Sequence, residues 1–251
     1  MNANTLALSL IVLFLLLVIG FALHERRRTG GRNLRDIPAF SRLIRAIGLA
    51  VEDGTRLHIS LGHGQVQGAS SAAGFAGLAI LERIARTASI SDYPPVATSG
   101  DGALSLLTRD TLASAYREME AGDLFEPTQA RLSGITPFSY AAGALPIIQD
   151  EQVSANILTG HFGPEIALIT EASERSGGFT LAGTDNLPAQ AVLVATAQEP
   201  LLGEELYAGG AYLRAGAVHT ASLRVQDIFR WLIIAAILGG GILKFMGGLV
   251  P

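Results

Sequence analysis

The sequence predicts an α/β domain built on a mainly parallel, Rossmann-like sheet flanked by helices, held between an N-terminal and a C-terminal transmembrane helix. Three observations lead there. Long apolar runs occupy the two ends of the chain. Strand-like and helix-like segments alternate between them. Four of the strands run into a turn containing Gly or Asp and then into a helix.

Composition narrows the classes. The chain has 251 residues, 49% of them hydrophobic and 16% charged, against roughly 25% charged in an ordinary soluble domain. Cysteine is absent, which excludes disulfides and thiolate sites. Residues 1–24 hold the first expected transmembrane helix. Its core, Thr5 to Leu23, is uncharged and 19 residues long, about 28 Å of helix against a hydrocarbon layer of about 30 Å. A cleaved signal peptide fits less well, because no basic residue precedes the run and no small-residue cleavage site follows it.

Residues 25–35 read as a basic juxtamembrane linker. Arg26, Arg27, Arg28 and Arg32, with Arg35 behind them, are expected to sit on anionic lipid headgroups. By the positive-inside rule the cluster faces the cytoplasm. The expected location is the cell membrane, multi-pass, with a cytoplasmic central domain and both termini outside.

Residues 36–230 are long enough for one core and form the expected α/β domain. They hold every acidic residue of the chain except Glu25. An acidic domain speaks against nucleic acid as a partner. Ile37 to Val51 has helical apolar spacing with Pro38 in its first turn. Leu57–Leu61 reads as a strand and Ala69–Ala88 as a helix rich in small residues. Pro95–Thr98 reads as a strand, and Asp101 can cap a helix over about Ala103–Ala121. Residues 125–153 are ambiguous between a helix near Tyr140–Ile148 and a strand at Ala144–Ile148. Asn156–Thr159 is a strand, Pro164–Arg175 a helix and Phe179–Ala182 a strand. Leu187–Gln198 and Glu204–Leu213 are expected helices.

Residues 231–251 form the expected second transmembrane helix. Trp231 to Leu243 is too short to span alone, so Lys244 must snorkel to the far surface. Gly239, Gly240 and Gly241 allow another helix to come close.

In a parallel sheet the turns after the strands gather at one edge, where ligands bind. That edge would collect Gly62, His63, Ser99, Asp101, His161, Glu165, Asp185 and Asn186. Glycine lets a backbone approach closely and free helix-start amides favour anions, so a small anionic ligand is the expected partner. Plain turn and cap roles are the competing reading, above all for Asp101 and Asp185. His58, alternating with apolar neighbours, reads as a sheet-face residue. No Walker lysine motif, G-x-S-x-G elbow or H-E-x-x-H is present, and Gly62-His63-Gly64-Gln65-Val66-Gln67 lacks the third glycine of G-x-G-x-x-G. His161 and Glu165 stand four apart, but Pro164 starts a helix between them, so no metal site is assigned. No cofactor is named by any motif.

Several blocks carry a resemblance. LRDIPAFSRLIRAIGLAVEDGTRLHISLG (Leu34–Gly62), PPVATSGD (Pro94–Asp101), TPFSYAAGALPIIQDEQVSANILTGHFGPE (Thr136–Glu165), AGTDNLPAQAVLVATAQEPLLGEELYAGGAYL (Ala182–Leu213) and ASLRVQDIFRWLII (Ala221–Ile234) resemble a family of prokaryotic membrane proteins described only as a domain of unknown function. The resemblance implies the same chain organisation and brings no catalytic residues with it. Two functions stay open. One is a membrane-anchored structural, assembly or ligand-sensing module, homo-oligomeric because anchoring concentrates copies of the chain. The other is a membrane-bound enzyme acting on an anionic or nucleotide-like ligand at the strand-end turns. The missing motifs weigh toward the first.

Overall fold

The computed structural model describes residues 3–26 and 34–247. The chain falls into two compact units, one made by its two ends and one by residues up to Ala215 between them.

The end unit contains two helices. α1 (Ala3–Arg26) is 24 residues long and α9 (Ala217–Gly247) is 31. Both are long and apolar enough to cross a membrane. Their large apolar side chains are mostly exposed, as a lipid-facing surface requires. They touch through Phe14 and Phe229, edge to face at 5.8 Å, and through Arg224, which pairs with Glu25 at 3.2 Å. α9 begins 14 residues before Trp231, so residues 217–230 form its first turns. Arg27, Arg28, Arg32 and residues 248–251 lie outside the described residues, as does the side chain of Arg26.

The middle unit opens with α2 (Pro38–Glu52), which has Pro at its start and buries Phe40, Leu43, Ile47 and Ala50 on one face. Six strands follow: β1 (Arg56–Gly62), β2 (Val96–Ser99), β3 (Ala130–Leu132), β4 (Val153–His161), β5 (Phe179–Thr184) and β6 (Glu199–Leu201). All adjacent pairs are parallel, in the order β3-β2-β1-β4-β5-β6. This is the doubly wound arrangement, whose direction of travel reverses between β1 and β4.

Helices connect the strands: α3 (Ser71–Ala88), α4 (Gly102–Glu118), α5 (Pro137–Asp150), α6 (Ile166–Arg175) and α7 (Leu187–Thr196), with α8 (Glu205–Tyr212) after β6. One face of the sheet packs Leu57, Ile59, Leu61, Ala97 and Ile157 against α2, α3 and α4. The other packs Leu158 and Ala182 against α5, α6 and α7. Each fully buried Leu or Ile contributes roughly 1.5–3 kcal/mol, so these two layers dominate the stability of the unit.

The ambiguous stretch resolves as the β3 strand and the α5 helix. Thr136 caps α5 and bonds Ser139 reciprocally, and Pro137 opens it. The alternative strand at Ala144–Ile148 is thereby excluded. β3 and β6 were not expected from the sequence, and each is three residues long. α3 lies directly on β4, because Gly77 has no side chain. A Cβ there would collide with the Thr159 carbonyl oxygen.

Candidate functional site

The carboxyl ends of β1 and β4 lie side by side at the point where the strand order reverses. There β1 ends at Gly62, which has φ +67°. A side chain at that position would strike the backbone of His161 at the end of β4. The sharp turn throws the next residue, His63, over the sheet edge, and its amide is held by the His161 carbonyl at 3.0 Å.

Two histidine–carboxylate pairs stand at this edge. His63 Nε2 lies 2.6 Å from Glu165 Oε1, and His161 Nδ1 lies 2.6 Å from Asp185 Oδ1. An ionised carboxylate only accepts, so each of these ring nitrogens donates. His63 Nδ1 and His161 Nε2 remain, and no hydrogen bond is made by either among the described residues. A neutral ring offers an acceptor there and a protonated ring offers a donor. The rings are nearly perpendicular, with centroids 5.4 Å apart. Glu165 is almost fully buried and also accepts the Gly163 amide at 2.7 Å, which fixes its carboxylate beneath His63.

The sequence places His161 and Glu165 four apart as a possible pair. The structure separates them. Gly163 and Pro164 turn the chain before α6 begins, so Glu165 reaches back to β1 while His161 turns to the end of β5. No group of three or more metal-ligating side chains occurs among the described residues.

The other expected residues divide by role. Ser99 ends β2 and is fully buried. Its hydroxyl has no hydrogen-bond partner among the described residues. Asp101 caps α4 through the Leu104 amide at 2.9 Å, and Asn186 caps α7 through the Ala189 amide at 3.2 Å. Their side-chain oxygens are thus engaged in holding helices.

Behind the pairs lies a buried polar chain that the sequence did not reveal. Tyr140, on α5, places its hydroxyl 2.6 Å from Ser60 Oγ and 2.9 Å from Thr98 Oγ1. It accepts the Gly62 amide at 3.2 Å and donates to the Thr98 carbonyl at 3.2 Å. Burial pushes the Tyr140 phenol above its ordinary value, so it stays protonated and can donate. His58 continues the chain, with Nε2 2.9 Å from Thr98 Oγ1 and Nδ1 2.6 Å from Asn156 Oδ1. Burial lowers His58 to about 4, so the ring is neutral at pH 7. The expected sheet-face residue is thus part of the support under the site. In the sequence Tyr140 stood out only as the start of a possible helix over Tyr140–Ile148.

A family model covers residues 1–250, and the chain belongs to that family, a domain of unknown function designated DUF6754. Neither curated proteins nor solved structures give a match.

Proposed function

We propose that this chain is a membrane-anchored ligand-sensing domain that binds a small anionic ligand at the carboxyl edge of its sheet. His63 and His161 face that ligand, and Glu165 and Asp185 hold them. The observation that carries the reading is the pair of perpendicular histidines 5.4 Å apart, each backed by a carboxylate at 2.6 Å. In this reading the domain faces the cytoplasm, the arginine-rich linker lies on lipid headgroups, and copies associate in the plane of the membrane.

A second reading is favoured by the same pairs. A carboxylate-held histidine is the usual arrangement of a general base, and two of them side by side can take and return a proton on one substrate. The ligand would then be a substrate.

Native mass spectrometry of the full chain, released from a mild detergent, tests the binding reading. A stoichiometric adduct is expected for the wild type and its loss for the His63→Ala/His161→Ala double variant. An adduct retained by that variant overturns the assignment of the site. A bare chain whose melting temperature is unmoved by phosphate or citrate overturns the ligand reading. Turnover of the recovered adduct by the wild type alone would establish the enzyme.

A further inference from the structure

A cavity of about 470 Å³ opens between α2, the last turns of α3 and the end of α8. It lies at the other end of α3 from the strand-end turns. Its floor is apolar, because Ile47, Ile84 and Leu213 belong to the core. Ile44, one turn before Ile47 on α2, also lines it and is 56% exposed. Apolar surface is therefore left open beside the cavity.

Two arginines, Arg83 and Arg214, stand in its wall. Arg83 Nε donates to the Leu213 carbonyl at 2.9 Å, which ties α3 to the end of α8. Its two other guanidinium nitrogens make no hydrogen bond or ion pair among the described residues. Arg214 follows α8 in the left-handed conformation, with φ +58°. Its amide bonds the Ala211 carbonyl at 3.2 Å, and the Ala215 amide bonds the Gly210 carbonyl at 2.8 Å. This closed helix end fixes the backbone that carries the second arginine. The Arg214 side chain has no partner among the described residues. No acidic residue lines the cavity, although the unit is rich in them. A second cavity, beside α4, also holds two arginines, Arg109 and Arg117, but Asp110 shares its wall.

Unpaired guanidinium groups bind phosphate through charge-assisted hydrogen bonds. Apolar surface beside them favours hydrocarbon. One molecule that satisfies both is an anionic amphiphile. The path of the chain names its source. The Tyr212 hydroxyl, in the cavity wall, donates to the Arg35 carbonyl at 2.6 Å. The chain thus enters the unit beside the cavity and leaves it there at Arg214. α1 ends nine residues before Arg35, and α9 starts three residues after Arg214. Both helices are long and apolar enough to cross a membrane.

We propose that this cavity seats the headgroup of an anionic phospholipid, with Arg83 and Arg214 on its phosphate and Ile44 against the start of its acyl chains. The proposal rests on the membrane-anchored part of the reading above and is independent of the histidine edge.

The full chain in a mild detergent, mixed with phosphatidylglycerol or with phosphatidylcholine and read by native mass spectrometry, tests this. Wild type is expected to retain phosphatidylglycerol and to lose phosphatidylcholine. Arg214→Glu and Ile44→Glu each put a carboxylate in the cavity at an exposed position, so the fold holds. An unchanged melting temperature verifies that. Each is expected to reduce the retained lipid by about tenfold or more. The Arg26→Gln/Arg27→Gln/Arg28→Gln variant is expected to keep it. The His63→Ala/His161→Ala variant is expected to keep it too, so the cavity and the histidine edge stand or fail separately. Lipid kept by both cavity variants, or lost only from the linker or histidine variant, overturns the seat. Equal retention of phosphatidylcholine overturns recognition of an anionic headgroup. Glycerol phosphate that raises the melting temperature as far as phosphatidylglycerol does makes the occupant a free phosphate and overturns the lipid. A wild-type chain that retains neither lipid overturns the proposal outright.

Discussion

Tyr140 and Gly62 are joined by a hydrogen bond across 78 residues of sequence, from the Gly62 amide to the Tyr140 hydroxyl at 3.2 Å. The bond ties the first turn of α5 to the turn that carries His63, and so links the long crossover helix to the site. Tyr140→Phe leaves the Gly62 amide and the Ser60 and Thr98 hydroxyls short of a partner inside the core. The expected cost is about 1–3 kcal/mol of stability, read from a denaturant titration of the full chain. Ligand affinity should fall in the same variant, because the His63 turn loses its brace. Equal stability and affinity in Tyr140→Phe would show that the network does not support the site.

His58 should make the domain acid-sensitive. The folded value lies near 4 because burial disfavours the charged ring, against 6.5 for the exposed group. The unfolded chain therefore binds the proton first. The contribution is complete above about pH 6.5 and is lost progressively as pH falls toward 4, by about 3 kcal/mol in total. His58→Gln should lose less stability than wild type between pH 6.5 and 4, by about that amount. Parallel pH profiles for the two proteins would refute the assignment.

Glu151 clamps two strands at the amino end of the sheet. It bonds Arg131 of β3 at 2.5 Å and also bonds Arg56 of β1. Burial alone would raise the Glu151 carboxyl, but the Arg131 and Arg56 guanidinium groups outweigh it and hold the group below its ordinary value. Its contribution is present above the unfolded value and lost as pH falls through the folded one. Glu151→Gln should cost about 1–2 kcal/mol at pH 7. Wild type and variant should converge in acid, once the wild-type carboxyl is protonated, and thermal melting at the two pH values reads this directly.

Gly77→Ala introduces a methyl group where α3 meets the β4 backbone and the Leu61 side chain. The helix must move off the sheet, at a cost of about 1–3 kcal/mol or more. A melting temperature at or above wild type would mean that α3 adapts without cost.

In the proposed arrangement both end helices span the membrane, which would put both ends of the chain on one side of it. Reporters fused to the N-terminus and to the C-terminus are expected on the non-cytoplasmic side, with a reporter inserted after Glu120 on the other. A cytoplasmic C-terminal reporter would sink the two-span arrangement.

Much of this fold is legible because its signals are local. Pro38, the apolar face of Phe40, Leu43 and Ile47, and the Asp101 and Asn186 caps each act within a few residues, so helix starts and long strands read directly. β3 and β6 do not, because three residues cannot display an alternation and their existence depends on β2 and β5 beside them. The turn residues His63, Glu165, His161 and Asp185 were legible as a group, since a parallel sheet collects its turns at one edge. Their partners were not. Spacing offered Glu165 only His161, a pair that the helix start at Pro164 argued against, while in the structure it meets His63, 102 residues away. Tyr140 and His58 were missed as site supports for the same reason. Their contacts come from sheet register and helix placement, which no window of sequence contains.

The two outer strands have a consequence for how copies of the chain can meet. β3 and β6 are the open margins of the sheet, three residues each. β3 carries Arg131, tied to Glu151, and β6 carries Glu199, tied to Arg42. β6 also contains Pro200, which has no amide to offer a seventh strand. Short, charged, proline-bearing margins resist edge-to-edge pairing. The sheet therefore ends within one molecule: in the proposed homo-oligomer, copies would meet through surfaces other than the strand margins, and the strand-end turns would be complete in every copy.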